Sequence, residues 1–73
     1  MAKEVIEVPI SGKITTIEVK VGDSVKEGDT ICFIESMKME NAIMTSVSGA
    51  VSEIKVSPNQ VVDTGDVIAI IDY

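Results

Sequence analysis

The chain has 73 residues, no Leu, Arg, Trp or His, one Cys, and a net charge of −6 from six Lys against 12 acids. That length makes one small domain, residues 1–73, held by packing and backbone hydrogen bonds, because a lone cysteine forms no internal disulfide. Acidity without a basic stripe excludes nucleic-acid binding, and no apolar run approaches a membrane span, so the expectation is a soluble, cytoplasmic domain with no direct membrane insertion.

Val and Ile number 11 each and, with five Thr, bring the β-branched residues to 27 of 73, a composition that favours strands. The first strand is expected at Val5–Val8. Lys13–Val19 alternates in polarity, with Ile14 on one face and Ile17 and Val19 mainly on the other. Val21-Gly22-Asp23 reads as a turn, followed by a very short strand around Val25 and a second turn at Glu27-Gly28-Asp29. The apolar run Ile31–Ile34 leads into Ser36-Met37-Lys38-Met39-Glu40-Asn41, and a strand Glu40–Thr45 leaves it. Ala50–Val56 alternates again, with Val51 opposed to Ile54 and Val56. Turns at Ser57-Pro58-Asn59 and Thr64-Gly65-Asp66 bracket a short strand around Val62, and Val67–Ile71 closes the series. About eight short strands with regular turns predict an all-β flattened barrel or sandwich of two four-stranded antiparallel sheets.

The chain also repeats itself. A shift of 37 positions aligns residues 10–35 with residues 47–72 without a gap, and nine of the pairs are identical, among them Ser11/Ser48, Gly12/Gly49, Gly28/Gly65 and Asp29/Asp66. Matched glycines fix matched turns. Gly28 and Gly65 are expected at φ > 0. Two copies are too few for a solenoid, so the domain should have an internal pseudo-twofold. Lys38 has no internal counterpart beyond Met1, which places its hairpin where the termini sit in the other half, at the opposite end of the domain.

Most enzyme chemistries lack their residues. Without His there is no His-based triad or dyad, and Cys32 within Ile-Cys-Phe-Ile reads as a small buried residue. Asp29 and Asp66 each follow a turn glycine, where local backbone bonding explains an aspartate better than catalysis does. No phosphate loop, metal-ligand cluster or calcium loop is present, so no catalytic and no metal-binding residue is assigned. Lys38 stands apart. Met37 and Lys38 are expected at a hairpin tip although neither is the Gly, Asn or Asp that tight turns demand, and locally broken rules mark function. Met37 and Met39 add soft apolar surface beside the amine.

Glu35-Ser36-Met37-Lys38-Met39-Glu40-Asn41 resembles the biotin-attachment motif of biotinyl domains, the carboxyl carriers of biotin-dependent enzymes, whose signature is Met-Lys-Met. The likeness extends over Pro9–Gly12, Val21–Asp23, Glu27–Asp29 and Ser48–Val51, with Ser36 in place of the commoner Ala. It implies a non-catalytic carrier with biotin joined covalently to Lys38 by a biotin protein ligase. Met37, Met39, Glu35 and Glu40 would be read by that ligase and by biotin carboxylase and carboxyltransferase or decarboxylase subunits. An ordinary lysine is protonated near neutral pH and a poor nucleophile, so the ligase must supply the activated acyl donor. No extra loop lies between Ile17 and Val25, so the chain resembles the thumbless carriers of propionyl-CoA and pyruvate carboxylases, transcarboxylases and biotin-dependent decarboxylases more than the thumbed carriers of many bacterial acetyl-CoA carboxylases. A lipoyl domain would share the fold but resembles Asp-Lys-Ala at this position, and the hybrid domains of efflux adaptors lack a central Met-Lys-Met.

Overall fold

Alternating Val and Ile organise the chain into eight strands in the computed structural model, which describes residues 2–73. They are β1 (Lys3–Glu7), β2 (Gly12–Ile17), β3 (Ser24–Val25), β4 (Thr30–Ser36), β5 (Met39–Met44), β6 (Gly49–Ile54), β7 (Val61–Val62) and β8 (Val67–Asp72). One four-stranded sheet has the order β1-β8-β6-β3 and the other β5-β4-β2-β7, with every neighbouring pair antiparallel. A shift of 37 residues carries β2 onto β6, β3 onto β7 and β4 onto β8, and relates β5 to β1. The repeat therefore exchanges one sheet for the other, as a pseudo-twofold requires. Met1, the counterpart of Lys38, lies outside the described residues.

Between the sheets lies a core that includes Ile14, Ile31, Ile34, Val51, Ile68 and Ile71, each at most 1% exposed. Cys32 and Ala69, also fully buried, take equivalent places in the two halves. Burial pushes the Cys32 thiol up to about 11, because a thiolate would sit without water or a cation.

Strict alternation placed Ile17, Val19, Ile54 and Val56 on the face away from Ile14 and Val51. In the structure Val56 is buried, and Ile17, Val19 and Ile54 pack against the same core as Ile14 and Val51. A β-bulge causes this in each half: Ile14 pairs with Ile34 but Thr16 with Phe33, and Val51 pairs with Ile71 but Glu53 with Ile70. The extra residues, Thr15 and Ser52, reverse the inward phase of the strand beyond them. Their hydroxyls sit 3.3 and 3.1 Å from the carbonyl oxygens of Phe33 and Ile70, so the ladder's missing bonds have side-chain replacements.

The turns follow their residues. Gly28 and Gly65 have φ of 93° and 94°, a region costly for any residue with a Cβ. Asp29 and Asp66 each accept a bond from the backbone N–H three residues earlier, at 2.8 and 2.9 Å, which is turn chemistry. Ser11 and Ser48 accept bonds from Thr64 N–H and Glu27 N–H, tying the start of each repeat to a turn of the other.

These bonds also orient the molecule, which extends 36 × 18 × 17 Å. Ala2 and Tyr73 exchange both backbone bonds, and Asp72 pairs with Ala50, next to the Gly49–Val25 pair. From Val25 the chain reaches Gly28, whose N–H donates to the Thr45 carbonyl. Thr45 lies beyond the end of β5 that is remote from Lys38, so the paired termini and the β4–β5 turn occupy opposite ends.

Gly28→Val is expected to cost about 1–3 kcal/mol through its left-handed backbone, measured by urea unfolding. An unchanged midpoint and slope would show that position 28 carries no such constraint.

Candidate functional site

β4 and β5 continue in register to the Ser36–Met39 pair, leaving Met37 and Lys38 as a two-residue turn. Their φ values are 52° and 67°. Two successive positive values define the type I′ turn, whose twist matches that of the strands it joins. Asn and Gly are the residues that take this conformation at little cost, so a Met-Lys turn stores strain of about 1–2 kcal/mol per residue. It persists because the ladders on both sides leave no slack. Asn41 adds to the constraint, its side-chain amide lying 3.4 Å from the carbonyl oxygens of both Ile34 and Met39. Gly12 lets β2 close on the hairpin's base, since a methyl there would overlap the Glu35 carbonyl oxygen and lie 2.8 Å from Ile34 Cγ2.

Met37 and Met39 are 90% and 68% exposed, and Lys38 is exposed between them. Among the described residues the Lys38 amine has no ion pair; the two bridges present are Lys3–Asp72 and Lys55–Glu53. Glu35 and Glu40 stand directly opposite each other one step below the turn, and Lys13 pairs with Glu35 on its other side. Paired residues project to the same face, so a cation and two acids form an exposed row across β2, β4 and β5. Two like charges in direct opposition destabilise a ladder slightly. Thr15 moderates this, its hydroxyl 2.9 Å from Glu40 Oε2.

The tip thus gathers Glu35, Met37, Lys38, Met39 and Glu40 within one hairpin. Thr15 and Asn41 belong to its support, a part that the sequence alone does not assign to either. Their signal was present but weak: a hydroxyl recurs at Ser52, and Asn41 closes the distinctive segment. Among the described residues no group of acids and cysteine could hold a metal ion. Among the described residues the amines of Lys13, Lys20, Lys26 and Lys38 all lack an ion pair. The Lys38 amine alone stands at the tip of a left-handed turn, held away from the core on a stiff base with thioethers to either side. Such an amine can form an amide, and its four methylenes can carry an attached group clear of the protein surface.

A family described as biotin-requiring enzyme matches residues 4–71 of the chain. A biotin carboxyl carrier protein of Streptococcus mutans is 42% identical over 65 residues, which are 89% of this chain and 50% of that protein. The homologue of biotinylated protein TB7.3 from Mycobacterium leprae is 37% identical over 68 residues, 93% of this chain and 96% of that protein. Among solved structures, the urea carboxylase of Kluyveromyces lactis superposes with a TM-score of 0.91 at 30% identity, covering 99% of this chain and 6% of that one. The chain therefore spans half of the carrier protein and a small part of the carboxylase.

Met37→Asn leaves Lys38 in place and is expected to raise stability by about 1 kcal/mol, because Asn accepts the left-handed conformation. Urea unfolding measures it. A neutral or destabilising result would mean that the turn is not strained at Met37.

Proposed function

The chain belongs to the biotin-requiring enzyme family, and from that premise we propose that it is a carrier, holding biotin in an amide with Lys38 Nζ. In this role it serves a biotin-dependent carboxylase or decarboxylase, of the acyl-CoA or pyruvate type, by shuttling a carboxyl group between two active sites. The observation that carries the proposal is the unpartnered Lys38 amine at the tip of a left-handed two-residue turn. When bound, biotin supplies the carboxyl-accepting and carboxyl-donating chemistry, which this chain does not need to provide.

Lys38 contributes a nucleophilic nitrogen once a ligase has taken its proton. The new bond joins Nζ to the valeryl carbonyl carbon, a second proton leaves the nitrogen, and the activating group of the acyl donor departs. Five other lysines must escape this reaction. Selection then depends on shape: the turn presents Met37 and Met39 as apolar contacts and Glu35 and Glu40 as a paired negative charge for basic groups on the ligase. The same surface would meet the biotin carboxylase and the carboxyltransferase or decarboxylase subunits in turn. Acidic charge speeds such encounters more than it prolongs them, which suits a carrier that must release each partner. Tethering to those subunits raises the local concentration of the Lys38 arm to about the millimolar range.

With a biotin protein ligase, ATP and biotin, the intact mass is expected to rise by one biotin, mapped to Lys38. Lys38→Arg should remove all streptavidin reactivity and keep the fold. Labelling that survives in Lys38→Arg would refute the assignment.

A further inference from the structure

β1 and β5 are edge strands of different sheets, each paired on one side only. A groove of about 310 Å³ opens between them, lined from Glu4–Glu7 on one wall and from Ala42–Met44 on the other. Its floor is Ile6 and Ile43, equivalent residues of the two halves that remain 7% and 8% exposed. Val5 and Met44 on its walls are 44% and 57% exposed.

The free edge of β5 has a definite register. The pair flanking a two-residue turn is hydrogen-bonded and the pattern alternates from there, so Met39, Asn41 and Ile43 bond to β4. Thr45 bonds to Asp29 and Gly28. The N–H and C=O groups of Glu40, Ala42 and Met44 therefore point outward, away from β4. Glu4 and Glu7 line the facing wall, no cation lines the groove, and the nearby Lys3 is held by Asp72 at 2.7 Å. An acidic rim repels a second copy of this acidic chain and attracts a basic segment.

We propose that this groove takes an extended, lysine- or arginine-rich strand from a partner polypeptide. The strand adds to the outward edge of β5, seats alternate apolar side chains over Ile6 and Ile43, and meets Glu4 and Glu7 with its cations. Main-chain bonds would supply affinity, and the acids and apolar floor would supply selectivity. The groove lies further along β5 than the Lys38 turn and meets the tip only at Glu40, and its lining from Ala42 to Met44 does not depend on what that lysine carries.

The test titrates the 15N-labelled chain with a blocked six-residue peptide of alternating Lys and Val, and with its Glu-Val counterpart. The expected result is shifts and slowed hydrogen exchange at the Glu40, Ala42 and Met44 amides with the basic peptide alone, weakening as salt is raised. Ala42→Pro removes an outward N–H without touching the β4 ladder, and should raise Kd about tenfold or more. Glu4→Gln with Glu7→Gln should weaken binding and flatten its salt dependence, which keeps the test decisive if the proline variant does not fold. Four results of these titrations would each overturn the proposal. These are no shifts at millimolar peptide, shifts centred on Lys38 or spread over the whole surface, equal binding of the acidic peptide, or unchanged binding by a folded Ala42→Pro. Concentration-dependent self-association through the same amides would also overturn it, by making a second copy the occupant.

Discussion

Ser36 and Met39 are paired across only two residues, and that short connection forces Met37 and Lys38 into the left-handed region. Neither side chain favours it, so the strain must be supported from elsewhere. Support comes from both directions: the β4–β5 ladder fixes the turn's ends, and β2 locks β4 through the Ile14–Ile34 and Lys13–Glu35 pairs. The amine is consequently displayed from a rigid base, while its own methylenes supply the motion. A longer, looser loop would hide the same lysine among many conformations, and a partner would have to order it at each encounter.

The pseudo-twofold relates the two ends of the domain and shows where they differ. At the tip, Ser36 and Met39 are joined by a turn; at the equivalent place in the other sheet, Ala2 and Tyr73 exchange backbone bonds without one. The two halves otherwise solve the same problems alike, with bulges at Thr15 and Ser52, left-handed glycines at 28 and 65, and aspartates bonding back at 29 and 66. Building both sheets from one pattern lets a short chain complete a core from β-branched residues, whose stiff side chains lose little rotamer freedom on packing. The asymmetry is left to the surface: the Glu35–Glu40 opposition under the turn, and Lys3–Asp72 beside the termini.

Much of this was legible in the residues themselves. The 37-residue repeat located the strands and turns, because glycines and aspartates mark backbone conformation directly. Strand ends differed by one or two residues, as at Lys13–Val19 against Gly12–Ile17, since hydrogen bonding rather than hydropathy decides where a ladder stops. The bulges were invisible to alternation: one inserted residue inverts the phase, so Ile17 and Val56 were placed on the wrong face. At the tip, the absence of Gly, Asn and Asp already signalled an unusual turn, and the structure gives it as two positive φ values. The Thr15–Glu40 contact depends on β2 and β5 flanking β4, a long-range adjacency that no local pattern encodes.

If the folded turn is what a ligase reads, modification must depend on the turn and not on the local sequence alone. The most direct measurement compares the rate of biotin transfer to Lys38 in the folded chain with that in a synthetic peptide spanning residues 30–45, under the same ligase, ATP and biotin. The account predicts rapid transfer to the domain and a rate lower by about a hundredfold or more in the peptide, where the left-handed pair is rarely populated. Equal rates would contradict it, by showing that Met-Lys-Met is recognised as an extended segment and that the strained turn plays no part.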